Sequence, residues 1–227
     1  MMAPLSRRDF IKAGALTTAA ALTADFGTGA PLFAASAQEI RFQPWPHAWM
    51  PDLSHVYATD IHEDPFRSGI EVTRDGVVVP ADIGTGRFSV NARWYVEGFG
   101  YLYLSADNAG EFYSVREGGR FNLNHEFARS RVMRNRAVLQ RYEKEGCRFT
   151  AEVRHLAGLS EELLADAAQK ITSGETAARL SDRSLYYALQ AGELIELEKA
   201  RYEVARQARK EAFYFGCETR QFIWAKH

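Results

Sequence analysis

One short segment carries five side chains of the kinds that ligate metals. They are His55, Asp60, His62, Glu63 and Asp64. Imidazole and carboxylate groups are ordinary ligands of divalent cations, so a metal site could be drawn from them. Their spacing matches no defined ligand pattern, however, and prolines flank the segment. The sequence therefore favours a polar surface loop and predicts no metal and no cofactor.

Aromatic side chains in the N-terminal half suggest a second kind of chemistry, the stacking of sugar rings. Trp and Tyr offer a flat apolar face beside a polar edge. The candidates for substrate binding are Trp45, Trp49, Trp94 and Tyr95. Burial in a β-sheet core is the commoner fate of large aromatic residues and remains the alternative. Trp45 and Trp49 are the better stacking candidates because prolines interrupt their segment.

A cluster of arginines suggests a third kind of chemistry, phosphate or nucleic-acid binding. The cluster comprises Arg129, Arg131, Arg134, Arg136 and Arg141. The chain has 28 Lys and Arg against 29 Asp and Glu, a formal net charge of -1. That balance excludes a strongly basic nucleic-acid binder. We therefore expect a solvated or ion-paired helix face and no nucleic-acid partner.

Other catalytic signatures are missing from the sequence. It has no Gly-rich phosphate loop, no G-x-S-x-G elbow and no H-E-x-x-H motif. Glycoside hydrolysis needs two carboxylates held about 5–9 Å apart, and no such pair can be chosen from sequence. We therefore assign no catalytic residue.

The N-terminus has the organisation of an export signal. A charged start precedes a short apolar run at residues 13–22, and Ala35 and Ala37 form an A-x-A cleavage site. The start resembles the twin-arginine signal through Ser6, Arg7, Arg8, Phe10 and Lys12. Its apolar run is shorter than the roughly 20 residues that span a bilayer. We expect a signal peptide at 1–37, the twin-arginine machinery as partner, a periplasmic or secreted protein, and no stable membrane span.

The only two cysteines are Cys147 and Cys217. They could form a disulfide in an oxidising compartment. Two buried thiols are the alternative if the chain folds before export.

Residues 38–119 have the pattern of a β-rich domain. Asp75-Gly76 between Val-rich runs predicts a hairpin, residues 88–104 are rich in strand-forming residues, and residues 111–115 can return as a strand. We expect an antiparallel, sandwich-like unit of at least five strands.

Residues 120–211 have the pattern of a helical segment. Asn122 is a helix cap, with Gly146 just past the helix end, and further helices are expected to start at Ser160 and Ser181. The fold class is therefore α+β. At 212–227, the string FYFGC predicts a lone buried strand, which we interpret as a sign of truncation.

Four strings resemble the N-terminal part of bacterial glycoside hydrolase family 10, the endo-1,4-β-xylanase group. They are VEGFGYLYLSADNAGEFYS (96–114), FNLNHEFARSRVMRN (121–135), ALQAGELIELEKARYEVAR (188–206) and FYFGCETRQFIW (213–224). The resemblance implies a β-rich accessory domain and a helical segment in front of an α/β barrel, with residues 212–227 as the first strand of a barrel that is truncated there. It also implies hydrolysis of a β-1,4-linked plant-type polysaccharide through two glutamates.

Those glutamates belong to later barrel strands in the family, so no residue of this sequence inherits their role. An eight-stranded α/β barrel needs about 250 residues, more than the 227 present. We therefore expect an exported N-terminal portion that is inactive alone and binds glycan through 38–119. The alternative is a complete exported module for binding or interaction, without catalysis.

Overall fold

A computed structural model describes residues 39–47, 50 and 53–207. In this part of the chain, two four-stranded sheets precede three helices, which confirms the α+β class. The predicted signal peptide, Trp49, Cys217 and the predicted strand at 212–227 lie outside the described residues.

The first sheet contains β1 (Ile40–Gln43), β4 (Glu71–Thr73), β5 (Gly76–Val79) and β8 (Gly119–Asn122). Its strand order is β4-β5-β1-β8. The predicted hairpin joins β4 and β5, which run antiparallel. Gly76 is required there because its φ is +125° and a Cβ would lie 2.1 Å from the carbonyl oxygen of Phe42. β8 pairs parallel with β1, so this sheet is mixed rather than wholly antiparallel.

The second sheet contains β2 (Ser54–Thr59), β3 (Pro65–Phe66), β6 (Ser89–Val96) and β7 (Gly100–Ala106). It is antiparallel throughout, with the strand order β3-β2-β6-β7. The strand predicted at 111–115 is wrong, because only Tyr113 pairs there, in a single bridge to Phe88. Positive φ angles at Asn108, Ala109 and Phe112 break the extended conformation before a strand can form.

One hydrophobic core receives side chains from both sheets. Phe42 and Val77 enter it from the first sheet, and Val90, Ala92 and Trp94 enter it from β6 of the second. The three β6 residues alternate along their strand and so share one face. The intervening residues Asn91, Arg93 and Tyr95 therefore lie on the opposite face.

The first helix confirms its predicted ends. It is α1 (Leu123–Lys144), and the Asn122 side chain accepts a hydrogen bond from the backbone N–H of His125. Gly146 follows with a φ of +89°, a left-handed conformation that suits glycine after a helix.

The two remaining helices begin earlier than predicted. They are α2 (Ala151–Gln169), capped by Thr150, and α3 (Gly174–Arg206), preceded by Ser173. Ser160 and Ser181 lie inside these helices, and each donates its hydroxyl to a carbonyl of the preceding turn, at Ala157 and Ala177. A serine that bonds backward in this way does not interrupt a helix.

The helices pack on the sheets as well as on each other. Leu123 and Phe127 of α1 and Leu185 and Leu189 of α3 belong to the same core as the strands. A smaller cluster around Phe149 and Ile195 holds the helices together farther along and includes Cys147, a buried free thiol. Among the described helices, none is long and apolar enough to cross a membrane.

Candidate functional site

The outward face of the second sheet carries four tyrosines. The strand register places Tyr95 opposite Tyr101 and Arg93 opposite Tyr103. It also places Tyr57 opposite Asn91. Because directly paired residues point to the same side of a sheet, Tyr57, Tyr95, Tyr101 and Tyr103 share one surface, which we call the tyrosine face.

Neighbouring groups hold the rings of the tyrosine face in position. The Tyr95 and Tyr101 rings meet edge to face with centroids 5.5 Å apart, and the Tyr57 and Tyr103 centroids are 6.4 Å apart. The guanidinium carbon of Arg93 lies 4.3 Å from the centre of the Tyr101 ring. Tyr101 is 43% exposed and Tyr103 is 60% exposed. Clustered, exposed aromatic rings of this kind typically mark a binding surface.

A cleft adjoins the tyrosine face at Tyr95. It has a volume of about 300 Å³ and is lined by both sheet and helix residues. The lining includes His47, Tyr95, Glu97, Asp182, Tyr186 and Tyr187, which we call the aromatic cleft. The His47 and Tyr95 rings lie 5.4 Å apart, and those of Tyr186 and Tyr187 lie 5.3 Å apart. Tyr95 therefore links the tyrosine face and the aromatic cleft into one continuous aromatic surface.

Asp182 supplies the cleft with a carboxyl group that is a much weaker acid than an ordinary aspartate. Burial raises its pKa from 3.8 to about 7, although the hydrogen bond from Asn124 acts in the opposite direction. The Asn124 side-chain amide donates to Asp182 Oδ1 over 2.8 Å. At neutral pH this carboxyl group can therefore both donate a hydrogen bond and accept one.

Asn124 also fixes the backbone of Trp45. Its Oδ1 accepts a hydrogen bond from the Trp45 N–H over 2.9 Å, and its Nδ2 donates to the Trp45 carbonyl over 3.0 Å. The half-buried Trp45 ring lies against Gly174 and lines a cavity of about 450 Å³ next to the aromatic cleft, together with His47 and Asp182. The structure thus brings Trp45 close to the surface that contains Tyr95.

The tryptophans predicted to bind substrate therefore occupy different surroundings. Trp94 is 2% exposed, and its ring contacts Phe127 in the core at a centroid distance of 5.4 Å. Although Trp94 is among the residues that line the aromatic cleft, stacking of its ring on a ligand would require that core to open. Trp49 lies outside the described residues.

The arginines of α1 differ in their partners. Arg129 donates to Asn108 Oδ1 over 2.7 Å, and Arg136 forms two hydrogen bonds with Glu161. Arg141 lies over the Tyr142 ring. These contacts engage three arginines with nearby side chains, whereas Arg131 and Arg134 line a pocket.

The predicted polar loop is shorter than expected, because His55 belongs to β2 and only residues 60–64 form the loop. Short-range hydrogen bonds hold this loop. Asp60 Oδ1 accepts hydrogen bonds from the backbone N–H groups of His62 and Asp64. In the described part of the chain, no group of three or more His, Cys, Asp or Glu side chains converges as a metal site would require.

Sequence reasoning missed a buried polar pair at the start of α1. The Tyr113 hydroxyl donates to Glu126 Oε2 over 2.5 Å, and burial raises the pKa of Glu126. The pair has no cavity beside it among those described and is best understood as part of the fold.

Comparison with known proteins identifies the N-terminal segment. Residues 4–24 match the family model of the twin-arginine translocation (TAT) pathway signal sequence. The protein is exported. The match covers the predicted recognition residues Ser6, Arg7, Arg8, Phe10 and Lys12, and it places the protein in the periplasm or outside the cell. No curated protein and no solved structure matches the chain.

Proposed function

We propose that this exported protein binds a β-1,4-linked plant-type polysaccharide on the tyrosine face and in the adjoining aromatic cleft. The observation that carries the proposal is the set of four tyrosines on one sheet face, two of them well exposed. A sugar ring has apolar C–H faces and a polar rim, and tyrosine complements both with its ring and its hydroxyl.

The length of the surface suits a polymer better than a single sugar. From Asn91 to Tyr95 along β6 is four residues, or about 13 Å at about 3.3 Å per residue. The aromatic cleft continues the surface beyond Tyr95. A chain of linked sugar rings can therefore contact several tyrosines in succession.

The aromatic cleft adds hydrogen-bonding groups that an aromatic platform alone lacks. Asp182, Glu97 and His47 line it and can bond to sugar hydroxyls. Export supports the same ligand class, because long polysaccharides are met outside the cytoplasm.

The resemblance to glycoside hydrolase family 10 supplies a reaction for the bound polymer. In this proposal the polysaccharide is xylan or a related β-1,4 polymer, and a xylanase-like domain hydrolyses it by the retaining route. The two glutamates of that reaction are assigned to no residue of this chain. The contribution that we propose for the tyrosine face and the aromatic cleft is therefore binding of the polymer.

The experiment that tests this proposal is retention of the purified protein on insoluble xylan, with dextran beads as the control polymer. We expect retention on xylan only. Tyr103→Ala removes the most exposed ring of the tyrosine face and should weaken binding about 2- to 12-fold, corresponding to about 0.5–1.5 kcal/mol for one stacking contact. Tyr103→Phe keeps the ring and should retain most of the binding.

Tyr202→Ala is the matched control, because it removes a partly exposed tyrosine from α3 away from the tyrosine face. It should leave retention on xylan unchanged. Failure of the wild-type protein to bind xylan, or equal losses in Tyr103→Ala and Tyr202→Ala, would overturn the proposal.

A further inference from the structure

Another cavity opens at the other end of the tyrosine face. Its volume is about 270 Å³, and Tyr57, Asn91 and Tyr103 of the second sheet form one wall. Residues of α1 form another. The lining also includes Thr59, Glu63, Ser130, Arg131 and Arg134, and we call this cavity the arginine pocket.

The arginine pocket contains two guanidinium groups and one carboxylate. Arg134 Nη2 lies 3.8 Å from Glu63 Oε1 and 3.8 Å from Asp107 Oδ2, and both distances are near the outer limit for an ion pair. Its side chain is 52% exposed, and that of Glu63 is 79% exposed. Since arginine offers five donors in a planar fork, these long contacts leave Arg134 able to bond a further anion.

Arg131 is deeper and less completely bonded. Its Nε is buried and has no hydrogen-bond partner among the described residues. Burial and the neighbouring charge of Arg134 lower the pKa of Arg131, whereas Glu193 and Glu196 of α3 act in the opposite direction. The guanidinium end of Arg131 lies against Gly192 of α3, where an added Cβ would be 2.8 Å from Arg131 Nη2. Arg131 therefore contributes buried positive charge beside the pocket, whereas the half-exposed Arg134 supplies the accessible donors.

Neutral polar groups complete the lining. Two hydrogen bonds fix the Asn91 side chain, because its Nδ2 donates to the hydroxyls of Thr59 and Ser89, each over 3.3 Å. The Ser130 hydroxyl accepts a hydrogen bond from the backbone N–H of Asp107 and retains its own proton to donate. The pocket therefore has donors suited to a carboxylate and to the hydroxyls beside it.

We infer that the arginine pocket binds the carboxylate of a uronic acid residue carried by the polysaccharide, an inference that rests on the proposed function. The cavity lies near the lower end of ligand-site volumes, about 300–1,000 Å³, which suits one sugar unit rather than a length of polymer. Because Tyr57 and Tyr103 belong to both surfaces, a polymer on the tyrosine face places an acidic branch within reach of Arg134 and close to the positive charge of Arg131. The ligand is thus an acidic polysaccharide such as a glucuronoxylan.

The test compares binding of the purified protein to soluble glucuronoxylan and to the same polymer after chemical reduction of its carboxyl groups. We expect the wild-type protein to bind glucuronoxylan about tenfold more tightly, as one charge-assisted contact allows. Arg134→Gln should abolish this difference while leaving binding to the reduced polymer unchanged. Arg136→Gln is the control, since it removes the same charge from the same helix at a residue paired with Glu161.

Each outcome decides the inference. Equal wild-type affinity for the two polymers would overturn the arginine pocket as a uronic acid site while leaving the tyrosine face intact. Equal effects of Arg134→Gln and Arg136→Gln would overturn it in favour of general attraction by positive charge. Binding to neither polymer would overturn the proposed function itself. If free glucuronate competes as well as the polymer at the same carboxylate concentration, the pocket is a site for small anions rather than for a polymer branch. That result would also overturn the inference.

Discussion

Replacing Asp182 by asparagine is expected to stabilise the protein at neutral pH. Burial holds the pKa of Asp182 at about 7, whereas an aspartate in the unfolded chain titrates near 3.8. At a pH between these two pKa values, Asp182 keeps its proton in the folded protein and loses it in the unfolded chain. Stability therefore falls as the pH rises from about 4 to about 7, because ionising the buried carboxyl group disfavours the folded state.

The size of this effect follows from the pKa difference. At about 1.4 kcal/mol per pKa unit, a rise from 3.8 to about 7 corresponds to about 4 kcal/mol. Asp182→Asn removes the titration but keeps an oxygen that can accept the hydrogen bond from Asn124. The variant should gain up to about 4 kcal/mol above pH 7, a rise in Tm of about 10 °C for a protein of this size.

The assay is urea or thermal unfolding of wild type and Asp182→Asn from pH 4 to pH 8. His125, whose pKa is lowered by burial, and Glu126, whose pKa is raised by burial, also make stability depend on pH. Both are present in both proteins, so the difference between the two curves reports on Asp182. A difference that is constant across this pH range would refute the reasoning.

Two further predictions concern the surroundings of the candidate site. Gly174→Ala should destabilise the protein by about 1–3 kcal/mol in chemical denaturation, because the new Cβ would lie 2.3 Å from the Trp45 ring. Helix propensity alone predicts a gain in stability, and a gain would show that the Trp45 ring moves freely. Tyr113→Phe should cost about 1–3 kcal/mol and raise the pKa of Glu126 further, because that buried carboxylate loses a 2.5 Å hydrogen bond. An NMR titration of the Glu126 carboxyl carbon measures the second effect, and an unchanged pKa would contradict it.

The helix ends show how far local sequence determines this fold. Asn122 and Gly146 could be assigned from residue type, because capping and left-handed termination depend on neighbouring backbone groups. Ser160 and Ser181 misled the same reasoning, since a serine hydroxyl can also bond to its own helix. The parallel pairing of β1 with β8 depends on residues far apart in the chain, and no local pattern indicates it.

The tyrosine face could have been found by applying strand alternation more strictly. Adjacent residues on a strand point to opposite faces, so Trp94 and Tyr95 cannot both be exposed on one surface. With Trp94 in the core, Tyr95 and the alternating Tyr101 and Tyr103 follow on the outward face. Tyr57 could not have been added, because its position depends on the register of β2 against β6.

The raised pKa of Asp182 could not be predicted from the sequence. It arises from burial between α1, α3 and the segment around Trp45, which come together only in the folded chain. The arginine pocket likewise forms between β2, β6, β7 and α1. In the sequence, Arg131 and Arg134 look no different from the other arginines of their helix.

NMR of tyrosine rings labelled with ¹³C, recorded during titration with a soluble xylan oligosaccharide, tests the central claim most directly. We expect saturable shifts of the ring signals of Tyr95, Tyr101 and Tyr103 of the tyrosine face. Tyr113, buried in the core, and Tyr202, on α3, should remain unshifted. Absence of shifts at saturating ligand, or shifts at Tyr202 without shifts at Tyr101 and Tyr103, would contradict the claim that the tyrosine face binds a β-1,4-linked polysaccharide.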